Sequence, residues 1–81
     1  MTLKASPLCS RDDGKEIYFT VKLPPRKLRV TYPRAYLNAA CGEAAPEKAR
    51  KAWVSAERPA LLAALADQKP TDTAVLIEEI R

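Results

Sequence analysis

The stretch Glu16-Ile17-Tyr18-Phe19-Thr20-Val21-Lys22-Leu23-Pro24-Pro25-Arg26-Lys27-Leu28-Arg29-Val30-Thr31-Tyr32 decides the fold. Its apolar residues recur at every second position. Ile17, Phe19, Val21 and Leu23 share one face and Tyr18, Thr20 and Lys22 the other, which is the period of a half-buried strand. Pro24-Pro25 interrupts the pattern because proline has no N–H to give to a ladder. The alternation then resumes, with Leu28, Val30 and Tyr32 set against Arg29 and Thr31. Two alternating segments this close predict an antiparallel hairpin over residues 14–32, joined by a Pro24-Pro25-Arg26-Lys27 connection. Asp12-Asp13-Gly14 just before it is a turn signal, since Asp can bond its own backbone and Gly accepts a positive φ.

Working outward, residues 1–13 show no period and read as an extended lead-in. On the other side, Pro33 to Cys41 reads as a short helix with Tyr36, Leu37 and Ala40 on one face and Gly42 as its stop. Pro46 opens a second helix, with Glu47 near its positive end. Trp53, Ala56, Ala60, Leu61, Ala64 and Leu65 form a continuous stripe along that helix, and Trp53 reads as a core anchor. Pro59 predicts a bend, or two helices meeting near Arg58. After a turn at Lys69-Pro70-Thr71-Asp72-Thr73, residues 73–80 read as a last strand, with Val75 and Ile77 on one face and Leu76 and Ile80 on the other. The expected architecture is one α+β domain over residues 1–81 in the order β-β-α-α-β. A three-stranded sheet containing the hairpin packs against the helical region 33–69.

Composition narrows the function. In 81 residues there is room for one modest core, burying roughly 60–65% of the unfolded surface, so self-association is a natural route to more buried area. The chain has no histidine and two cysteines, Cys9 and Cys41, that form no CxxC pair. This argues against a zinc site, a Ser-His or Cys-His pair and an imidazole base. Gly14 and Gly42 are the only glycines, too few for a phosphate-cradling loop. Cys41 sits at a helix C-terminus, the unfavourable end of the dipole for a thiolate. The longest apolar run, Ala60 to Ala66, is far short of the ~20 residues that span a bilayer. No secretory leader is evident. The expectation is a cytoplasmic, non-enzymatic protein with no cofactor, no metal, no membrane association and no small-molecule substrate.

The net charge of +4 is unevenly spread. Residues 1–34 hold eight Lys/Arg against three Asp/Glu, and residues 35–81 hold six against seven. Lys22, Arg26, Lys27, Arg29 and Arg34, interleaved with Tyr18 and Tyr32, form a basic hairpin that could neutralise phosphates and stack bases. The same cations also serve to keep an exposed strand from aggregating edge to edge.

Glu16 to Val21, Leu28 to Leu37 and Ala52-Trp53 with the following Leu/Ala run resemble domain-of-unknown-function family 1488, a set of small proteobacterial proteins. The resemblance spans about residues 14–80, with Leu37 and Trp53 at positions where members carry a leucine and an aromatic. Val30 stands where many members have a cysteine, so no role of that cysteine carries over. The resemblance implies a small cytoplasmic α+β fold and no catalytic residues.

Taken together, the residues predict a binding or regulatory module acting through protein–protein contacts, either as a homo-oligomer or with a protein partner. Val75, Leu76 and Ile77 are the interface candidates. The alternative is a nucleic-acid-binding domain that uses the basic hairpin.

Overall fold

A computed structural model describes residues 4–67, 69–70 and 74–80. The chain runs β1 (Lys4–Ala5), β2 (Cys9–Arg11), β3 (Glu16–Leu23), β4 (Arg26–Tyr32), α1 (Arg34–Cys41), α2 (Glu47–Ala66) and β5 (Leu76–Ile80). These strands form one antiparallel five-stranded sheet in the order β1-β3-β4-β5, with β2 also on β3. The α+β class and the hairpin are as the sequence predicts, and the last strand pairs with β4.

Two strands come from the segment read as an extended lead-in. They escape periodic reading because a run of two or three residues has no period to show. Pro7 separates them. Ser6 bridges the gap: its N–H donates to the Thr20 carbonyl at 2.9 Å and its hydroxyl accepts from the Thr20 N–H at 2.9 Å. A serine side chain thus replaces one backbone rung.

The hairpin is tighter than predicted. Leu23 pairs with Arg26 and Lys22 with Lys27, so only Pro24 and Pro25 form the loop, and the peptide bond between them is cis. Arg26 and Lys27 are strand residues. The two prolines occupy the positions where no ladder donor is required. Between β2 and β3, Asp12, Asp13 and Gly14 all take positive φ, at 57°, 55° and 82°, and the Lys15 N–H closes onto the Asp12 carbonyl at 3.0 Å.

Both helices cover one face of the sheet. Ile17, Phe19, Val21, Val30 and Tyr32 pack there against Leu37 of α1, Val54 and Leu61 of α2, and Val75. Tyr32 lies edge-on to Tyr36 and Trp53 with centroids 5.6 and 6.0 Å away. The second helix runs unbroken through Pro59, in contrast to the two meeting helices offered as one expectation. Its buried residues are Arg50, Val54 and Leu61, with Ala56 and Ala60 exposed. The buried stripe is therefore rotated from the one the alanines suggested. Alanine is small enough to be left in water at little loss, whereas Val54 and Leu61 are not.

Arg50 is the largest fully buried side chain, at 0% exposure. Its Nε donates to the Ala45 carbonyl at 2.9 Å and its Nη1 to the Lys15 carbonyl at 3.3 Å. Its Nη2 serves Asn38 Oδ1 at 2.7 Å, the Glu43 carbonyl at 3.0 Å and the Gly42 carbonyl at 3.2 Å. Nearby, Glu47 accepts from the Ser10 hydroxyl and pairs with Lys51 at 3.3 Å. The Ser10 bond, then Lys51, hold the Glu47 carboxyl below its ordinary value.

Two stability outcomes follow from these contacts. Replacing Arg50 with lysine keeps the charge but not the planar fork, leaving buried carbonyls unpaired, and should lower unfolding free energy by about 2–4 kcal/mol in a urea titration. Gly14→Ala forces a side chain into a left-handed backbone and sets its Cβ 2.8 Å from the Glu47 Cβ. It should cost about 2 kcal/mol by the same assay.

Candidate nucleic-acid interface

With both helices on one side, the opposite face of the sheet is left uncovered. Strand alternation decides what it shows. Register places Lys4 beside Lys22 and Lys22 beside Lys27, with Ile80 continuing the row on β5. The next row runs from Ser6 through Thr20 and Arg29 to Glu78. A third runs Cys9, Tyr18, Thr31 and Leu76. The face thus has a cationic end and a belt of hydroxyls.

The three lysines in one row are the unusual feature. Like charges directly opposite one another in neighbouring strands destabilise a sheet. Carboxylates can relieve such crowding, but the ion pairs of the described residues lie elsewhere. Arg11 pairs with Glu16 at 3.2 Å, Arg26 with Glu79 at 3.6 Å and Arg34 with Asp12 at 3.5 Å. Among the described residues, Lys4, Lys22, Lys27 and Arg29 have no ion pair. Arg29 faces Glu78 in register without bridging to it, and its Nε is buried with no hydrogen-bond partner.

The seven residues predicted to contact nucleic acid are therefore divided. Tyr18, Lys22, Lys27 and Arg29 share the uncovered face. Tyr32 points the other way and is 3% exposed, stacked on Phe19 with centroids 6.5 Å apart. Arg26 shares Tyr32's side of β4, because both sit at even spacing from Leu28. Arg34 stands in the first turn of α1, where a cation meets the positive end of the dipole, and Asp12 offsets that. Tyr18 is capped by the Arg11 guanidinium, 4.2 Å from the ring centroid.

Lys4 and Arg11 join the face although sequence reasoning missed them. They belong to strands too short to announce their orientation. Of the apolar interface candidates, Val75 is buried in the core and Ile77 packs against it. Leu76 points outward, 49% exposed, the one exposed large hydrophobic among the described residues.

No family model matches the chain. No curated protein or solved structure shows significant similarity to it either. The functional reading therefore rests on this surface. Among the described residues, no three Cys, Asp or Glu side chains gather as metal ligands, and no helix is long and apolar enough to cross a membrane.

A crowded lysine row should impose a measurable cost in the free protein. Lys22→Glu, at the centre of the row, is expected to raise stability by about 0.5 kcal/mol at low ionic strength. The gain should shrink as salt is added. Equal or lower stability in paired denaturation curves would show that the row carries no strain.

Proposed function

We propose that this domain is a non-enzymatic binding module that holds a single-stranded nucleic acid across the uncovered face of its sheet. The observation that carries the reading is the Lys4–Lys22–Lys27 row, joined by Arg29, with no carboxylate among the described residues paired to any of them. Affinity would come from neutralising phosphates and releasing their counterions. Thr20 and Tyr18 add hydroxyls, and the Arg11 plane over Tyr18 offers a flat cation on which a base can stack. A flat sheet face suits an extended strand better than the grooves of a duplex, which admit helices or ribbons.

A second reading, a protein partner docked along β5, is favoured by exposed Leu76 and by the outer edge of that strand, which has no neighbour among the described residues. It ranks lower because Val75 and Ile77 are taken up by the core, leaving little apolar area for an interface. Kinship with domain-of-unknown-function family 1488 belongs to the same proposal. Phe19, Leu37 and Trp53 are packing residues here, so that kinship supplies a fold and a cytoplasmic setting but no chemistry.

The test is fluorescence anisotropy with a mixed-sequence single-stranded oligonucleotide over a range of salt. The expected plot of log affinity against log salt has a slope of about −2 to −3, reduced by about 0.7 for each of Lys27→Gln and Arg29→Gln. Absent or salt-independent binding would remove the nucleic-acid reading in favour of the β5 edge.

A further inference from the structure

The cationic end of the face contains a depression of about 260 Å³ between β1 and β3, lined by Lys4, Ala5, Ser6, Thr20 and Lys22. We propose that it is a subsite for a phosphomonoester, the terminal phosphate of the strand bound on this face. The proposal rests on the nucleic-acid reading above and adds where the strand ends.

The walls are built from committed groups. Ser6 spends its N–H and its hydroxyl oxygen on Thr20, and its hydroxyl proton on the Pro7 carbonyl at 3.1 Å. Its carbonyl accepts from Arg58 Nη1 at 2.9 Å, and the same guanidinium lies 5.4 Å from the Phe19 centroid. The kink between β1 and β2 is thereby pinned from the core side by a second cation. Against this fixed wall stand groups with nothing to bind. Among the described residues, the Thr20 hydroxyl has no hydrogen-bond partner and the Lys4 and Lys22 ammonium groups have no anion. No acidic residue lines the depression. Two cations and a hydroxyl donor around a concave surface are the complement of a tetrahedral oxyanion.

Charge density selects the monoester. A phosphodiester carries a single negative charge, whereas a terminal phosphate carries about −1.5 to −2 near neutral pH. Lys4 and Lys22, both in the lining, match the larger charge. Position agrees with this. Glu78 and Ile80 close the patch on the β5 side, and β1 is the last strand on the other. A chain crossing from β4 toward β1 therefore meets the depression at the margin of the sheet.

The experiment compares three forms of one short single-stranded oligonucleotide: 5′-phosphorylated, 3′-phosphorylated and unphosphorylated. A longer unphosphorylated strand of matched total charge serves as control. Binding is read by anisotropy at fixed ionic strength. One phosphorylated form should bind about fivefold tighter than the charge-matched control, and the preference should fade below pH 6 as the monoester takes up its second proton. Lys4→Gln and Thr20→Val should each erase the preference, and each should weaken the unphosphorylated strand no more than Lys27→Gln weakens it. Lys27→Gln should weaken all forms alike. Equal affinity for every form overturns the subsite and leaves the nucleic-acid reading standing, and no binding of any form overturns both. A preference that survives in the Lys4→Gln/Thr20→Val double variant also overturns it, because the phosphate must then sit elsewhere.

Discussion

The fork of Arg50 is the constraint on which the rest of the structure depends. One side chain reaches the turn before β3, the body of α1 and the loop between the helices. A loop that leaves carbonyls pointing inward must find donors for them or lose a few kcal/mol. Arg50 supplies those donors from a fully buried position, tying the α1–α2 loop to the turn before β3. Both helices are then fixed on one side, and the other side is left open.

That one-sidedness explains the charge distribution. A small sheet with two helices has apolar surface for only one core, and Val75 and Ile77 are drawn into it. The outward positions are then free to carry cations and hydroxyls. Crowding three lysines in one row works against the stability of the free domain. Surface arrangements that cost stability are often kept for what they bind.

Much of the fold was legible in the sequence because its central elements are long enough to repeat. The alternation from Ile17 to Tyr32 revealed both strands and which residues face inward, and Pro46, Gly42 and the Asp-Asp-Gly turn marked boundaries that the structure keeps. Less of the candidate site was legible. Lys22, Lys27 and Arg29 were visible as a basic hairpin, but their row is completed by Lys4, on a strand of two residues whose pairing depends on a serine side chain and on Arg58. Arg26, Arg34 and Tyr32 carry the same residue types as the face yet point away from it, and only register separates the two groups. Arg50 gave no signal in the sequence, where the stripe was read through Trp53 and the alanines rather than through Val54. Its role follows from contacts with four backbone carbonyls and the Asn38 amide oxygen, which no periodic pattern encodes.

The acceptors around Arg50 are all peptide or amide oxygens, with no carboxylate among them. Such oxygens do not take up protons where carboxylates do, so this tether is indifferent to acid. The neighbouring tether is not. Ser10 holds β2 to α2 through Glu47, whose carboxyl is kept below its ordinary value by that bond. A depressed folded value means that the contribution is present above the unfolded value and is lost as pH falls through the folded one. Acid below the ordinary carboxylate range therefore acts on the two fasteners unequally, weakening the tie from β2 to α2 while the helical layer stays clasped to the turn before β3.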